Sequence, residues 1–114
     1  NLALLADVDR GQRLLERIDR ITNHRARIIG ETRDPHQTDD PIHAAYHESN
    51  RQRGKMAGQV KIRVRYRQYV GAWFDYMLLS RDELRNVLEG TNWTLRRTID
   101  SDGPEYVAII EKKF

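Results

Sequence analysis

The chain of 114 residues contains no cysteine. Disulfides, thiolate metal sites and cysteine nucleophiles are therefore excluded, and a cytoplasmic location is the expectation. No apolar run approaches the length of a membrane span. The N-terminus lacks the basic-then-apolar pattern of a secretory signal. Charge of one sign is scarce too: 20 basic residues face 17 acidic ones, and a surplus of +3 is small for a general nucleic-acid binder. Proline occurs only at Pro35, Pro41 and Pro104, each at an end or a turn of a patterned segment. Repeats and low-complexity stretches are absent. What remains is 39% hydrophobic and 32% charged, the balance of a globular protein with room for one domain.

Patterned segments follow in order. Leu2-Ala3-Leu4-Leu5 opens the chain with no preceding turn or cap, as though a strand had been cut, and the expectation is a truncated or processed product. Asp7 to Thr22 reads as an amphipathic helix with Asp7 as N-cap and Val8, Leu14, Leu15, Ile18 and Ile21 as its buried stripe. Ala26 to Thr32 reads as a short strand, with Ile28 and Ile29 adjacent as expected when both faces are covered. Ile42 to Arg53 fits a helix beginning near Asp39 or Asp40. Val60 to Tyr66 alternates with Lys61, Arg63, Arg65 and Arg67, the pattern of a half-buried strand. Ala72 to Leu79 is a second strand, and Gly71 marks the expected turn between the two.

Ser80 and Glu83 form a capping box for a helix whose buried side is Leu84, Val87 and Leu88. Gly90 is placed for a left-handed C-terminal cap. Asn92 to Asp100 and Glu105 to Glu111 read as an antiparallel pair joined by Ser101-Asp102-Gly103-Pro104. Tyr106 to Ile110 is apolar almost throughout, so it is expected to be central, beside Ala26–Thr32. Trp73, Phe74, Trp93 and Tyr106 are expected in the core.

This order of helix, strand, helix and terminal hairpin resembles the C-terminal half of class I S-adenosylmethionine-dependent methyltransferases. The resemblance covers nearly the whole chain, with an insertion over 33–79. The segment Glu31-Thr32-Arg33-Asp34-Pro35, with Thr38-Asp39-Asp40-Pro41, Tyr46-His47, Asn50 and Gly54, resembles uncharacterised bacterial members of the family. The resemblance implies an α/β fold: half of a Rossmann-like sheet, a terminal antiparallel hairpin and an inserted β-hairpin. It also implies S-adenosylmethionine as cofactor of the intact parent, a small-molecule acceptor, and Asn1 beside the cofactor. The family's glycine-rich loop and ribose-binding carboxylate have no counterpart here. Gly54-Lys55-Met56-Ala57-Gly58 does not run from a strand into a helix. The chain alone is therefore expected to be inactive, and one side of Ala26–Thr32 to lack its strand partner, which favours self-association.

Ligands of open α/β sheets gather at strand carboxyl ends, which points to Arg33 and Asp34 with the polar insertion folded over them. Arg33, Asp34, His36 and Asn50 are the substrate-binding candidates. His47 or Tyr46 is the candidate general base, since imidazole titrates near neutral pH. His36, His43 and His47 with Asp39 and Asp40 contain suitable metal ligands, but no motif fixes their spacing, so no metal is assigned. The basic row Lys61 to Arg67 reads as the solvated face of an edge strand. Nucleic acid is disfavoured because the aromatics do not mark a stacking platform. Two other classes stay open: a non-catalytic interaction module, and a small nucleic-acid-binding domain using the basic hairpin.

Overall fold

The computed structural model describes residues 1–114. Leu2–Leu5 is a turn of 3-10 helix, not a severed strand: the Asn1 side chain accepts from the Ala3 N–H and caps it. Helix α1 (Val8–Ile21) starts where Asp7 accepts from the Arg10 N–H. Leu15 is buried, and Val8 and Ile18 pack partly against the core. Leu14 and Ile21 stay exposed, so the buried stripe is narrower than the spacing suggests.

Strand β1 (Arg27–Arg33) leads to α2 (Pro41–Gln52), whose first free N–H groups include that of Ile42, donated to the Asp40 side chain. Proline at the first helical position costs no hydrogen bond. A ribbon follows: β2 (Gln59–Ile62), β3 (Arg65–Tyr66), β4 (Tyr69–Val70) and β5 (Phe74–Met77). β2 pairs with β5, and β3 with β4. The reversal lies at Arg67-Gln68 rather than Gly71, and Arg67 takes the positive φ of 54° that the tight turn needs. Buried alternation stops at Ile62: Val64 and Tyr66 are exposed. Gly58 lets the ribbon's base close. The Leu78 N–H donates to the Gly58 carbonyl at 2.8 Å, and a Cβ on Gly58 would lie 2.1 Å from the Leu78 oxygen.

Helix α3 (Arg81–Glu89) carries the expected capping box in full. Its end differs from expectation, because Gly90 has φ −81° and is not left-handed. Glycine serves there by close packing, since a Cβ would sit 3.1 Å from Gln12 Nε2. Strands β6 (Trp93–Asp100) and β7 (Glu105–Lys112) complete a sheet of order β1-β7-β6, with the final strand central as expected. Every pairing in the molecule is antiparallel, and β6 bulges between Leu95 and Arg97.

Tyr106, Ala108 and Ile110 of β7 point to a core shared with Trp93, Leu15 of α1 and Leu84, Val87 and Leu88 of α3. Only this face is covered. On the other, Ile29 is 68% exposed, and Arg27–Glu111 and Arg33–Glu105 ion pairs cross the sheet. An antiparallel sheet with one solvated face explains why Ile28 and Ile29 have different fates. No helix is long and apolar enough to cross a membrane.

The Tyr106 hydroxyl donates to the Leu79 carbonyl at 2.7 Å, joining the sheet to the start of α3. Burial pushes this phenol far above its ordinary range. An unfolded tyrosine ionises near pH ~10, while the folded one stays protonated, so this contribution is complete below pH ~10 and declines above it. Tyr106→Phe is expected to cost about 1–2 kcal/mol by orphaning the Leu79 carbonyl. The variant should also lose less stability than the parent between pH 8 and 11 in urea unfolding. Parallel pH profiles would contradict the assignment.

Candidate functional site

A cavity of about 620 Å³ opens at the carboxyl end of β1. One wall is the turn after the strand, Arg33, Asp34 and Pro35. A second is the inner side of α2, with Ile42, His43, Tyr46 and His47. The ribbon supplies the third, with Val60, Lys61, Ile62, Tyr76 and Leu78, and Asn1 and Glu105 lie at the margin. Apolar walls with a few polar groups are the usual make-up of a small-ligand site.

Each polar group is held by a nameable cause. Asp34 is nearly buried. Its carboxylate accepts from the His36 N–H at 2.8 Å and from Gln37 Nε2 at 3.2 Å, while its own N–H donates to the Pro104 carbonyl at 2.9 Å. It therefore fixes the turn as well as lining the cavity. Arg33 lines it too, 3.8 Å from Glu105. His47 is buried, with Nδ1 2.6 Å from the Ala57 carbonyl. A carbonyl only accepts, so Nδ1 carries the proton, and in the neutral ring Nε2 keeps its lone pair. Tyr46 stands one residue earlier on α2, 45% exposed, with its ring edge-on to His47 at 6.4 Å. Asn1 donates from Nδ2 to the Tyr76 hydroxyl at 2.6 Å.

Two candidates lie outside the cavity wall. Asn50 is buried and donates from Nδ2 to the Ala57 and Gln59 carbonyls at 3.1 and 2.8 Å. With His47 it latches α2 to the base of the ribbon. His36 bridges Arg51, at 3.0 Å from Nδ1, and Glu83, at 3.2 Å from Nε2, tying the turn to α2 and α3. The histidines and aspartates also fail to converge: His43 is 3.8 Å from Asp40, and no group of three or more His, Asp or Glu is arranged to hold a metal.

Sequence reasoning missed Tyr76, Ile62 and Lys61, which face the cavity from the ribbon. Strand alternation marks them as half-buried but does not say against what. Thr32 was missed as well. It lines the cavity, and its Oγ1 is buried with no hydrogen-bond partner. Lys61 reaches Asp75 at 3.2 Å, and Arg10 of α1 grips the same carboxylate. Arg10 first, then Lys61, holds Asp75 below the ordinary carboxylate range, and the ribbon is thereby tied to α1.

No protein-family model matches the chain. No curated protein sequence matches it either. Among solved structures, the chain is similar to an S-adenosylmethionine-dependent methyltransferase from Bacteroides fragilis, crystallised with S-adenosyl-L-homocysteine. The TM-score is 0.73 at 12% identity. The match covers 98% of this chain and 44% of that one. What the two share is a fold. The chain is mixed α/β with antiparallel sheets, similar to that methyltransferase over less than half its length.

Gly54 and Gly58 follow a helix and enter a strand, the reverse of a phosphate- or cofactor-cradling turn, and nothing lies within 4 Å of where a Gly54 Cβ would be.

Proposed function

We propose that these residues form the acceptor-side, C-terminal part of a Rossmann-like S-adenosylmethionine-dependent methyltransferase, with the cavity at the end of β1 receiving a small-molecule acceptor. The observation that carries this reading is the match of nearly the entire chain to less than half of a methyltransferase chain. Two features support it. β1 stands at the edge of its sheet, where a further strand can pair, and the same edge would serve the self-association expected from the sequence. Thr32, one of the residues lining the cavity, has a buried hydroxyl with no protein hydrogen-bond partner.

In this reading His47 Nε2 and the Tyr46 hydroxyl are the candidate proton acceptors, while Arg33 and Asp34 orient the acceptor. Asn1 lies on the cofactor side. The glycine loop and ribose carboxylate would come from the remainder of the parent, and no step through the cofactor is assigned to this chain.

Asp34 and His47 are poor test positions, because each also holds backbone. Tyr46 and Thr32 have no side-chain hydrogen bond to lose. In the intact parent, Tyr46→Phe is expected to lower turnover about 100-fold or more, the range for a positioned proton acceptor, and Thr32→Val, which alters only the cavity wall, to lower it by less. Cofactor affinity and unfolding midpoint should stay nearly unchanged. Unaltered turnover in both variants would remove the cavity from the reaction.

A further inference from the structure

The ribbon's far end has a composition that the cavity does not explain. Residues 59–74 contain Lys61, Arg63, Arg65 and Arg67 and no acidic residue. Lys61 shares the Asp75 carboxylate with Arg10, and the three arginines have no carboxylate partner. The same segment concentrates exposed apolar side chains: Val64, Tyr66, Tyr69, Val70 and Trp73 are all between 49% and 66% exposed. Tyr66 and Tyr69 are cross-strand partners and share one face of the β3–β4 arm. Arg67 lies 5.2 Å from the centre of the Tyr66 ring, and Arg63 lies 4.5 Å from that of Trp73. β3 and β4 pair only with each other, as a two-stranded sheet apart from the main one. The radius of gyration is 15.0 Å, against about 13 Å for a compact chain of this length.

We propose that the β3–β4 arm with the adjoining Arg63–Trp73 pair is a binding surface for single-stranded nucleic acid. Bases stack on exposed aromatic rings whatever their identity, and unpaired guanidinium groups beside those rings meet the phosphates. From the sequence, nucleic acid is disfavoured by the small net charge and by the lack of a stacking platform, yet this one segment gathers cations with no acidic residue among them. The fold brings two tyrosines together and leaves Trp73 outside the core, under an arginine. Protein interfaces are also enriched in arginine and aromatic rings, but a segment with three unpaired cations and no carboxylate of its own is better matched by a continuous run of phosphates. Duplex DNA or RNA fits less well, because its bases are not free to stack. The proposal is independent of the cavity's ligand.

The test is fluorescence anisotropy of the full chain with labelled 15-nucleotide oligo-U RNA, oligo-T DNA and a 15-base-pair duplex. Single strands are expected to bind in the micromolar range at low salt, at least fivefold tighter than the duplex. The slope of log affinity against log salt should be about −2, as three phosphate contacts at about 0.7 each require. Trp73→Ala should weaken binding about tenfold, and the double variant Arg65→Glu/Arg67→Glu should abolish it. Both changes are at exposed positions, and circular dichroism would verify the fold. Absence of saturable binding, equal or tighter duplex binding, or affinity unchanged in both variants would overturn the proposal. So would a finding that Trp73→Ala only dissociates a dimer, which would make the arm a self-association surface.

Discussion

Trp93→Ala is expected to cost about 3–5 kcal/mol of folding stability, the range for truncating a large buried aromatic. Trp93 is fully buried at the start of β6 and sits among α1, α3 and β7. Its indole N–H donates to the Leu15 carbonyl at 2.9 Å, and the Lys112 ammonium lies 5.4 Å from the ring centre. Truncation leaves a cavity and an orphaned carbonyl at once. Lys112 is itself held by the Asp19 carboxylate at 3.0 Å, so the change also loosens the seam between α1 and β7. Against a total of roughly 6–17 kcal/mol for a chain of this size, the loss is a large fraction. Urea unfolding measures it directly. A loss below ~1.5 kcal/mol would mean that the two layers do not meet at Trp93.

The elements with end signals were legible. Asp7, Asp40 and Ser80 each cap a helix because a short polar side chain can take a free N–H, a local event that needs no tertiary context. The β6–β7 pair was legible because an apolar run beside a turn has few places to go. The ribbon's turn was not. Arg67 and Gln68 carry no turn signature, while Gly71 carries one and does not form the reversal. Trp73 was misplaced for a related reason: apolar character says a ring prefers burial, but not that a core is within reach.

The site was legible in part. The rule that ligands gather at strand carboxyl ends located Arg33 and Asp34, and helical spacing put His43 and His47 on one side of α2. The ribbon wall depends on how β2 and β5 fold back, which alternation does not encode. Asn50 and His36 looked like ligand-binding groups because they are polar. The structure turns them to internal bonds, a distinction that depends on burial.

Under the proposed function, the cavity belongs to the acceptor side of a methyltransferase fold whose cofactor-binding motifs are not among these 114 residues. Titration calorimetry with S-adenosyl-L-homocysteine, on this chain and on an extended protein carrying the cofactor-binding half that the proposal requires, tests it most directly. The chain of 114 residues should bind more weakly than about 1 mM, near −4 kcal/mol, and the extended protein in the low micromolar range, near −8 kcal/mol. Micromolar binding by the chain of 114 residues, or none by the folded extended protein, would contradict the account.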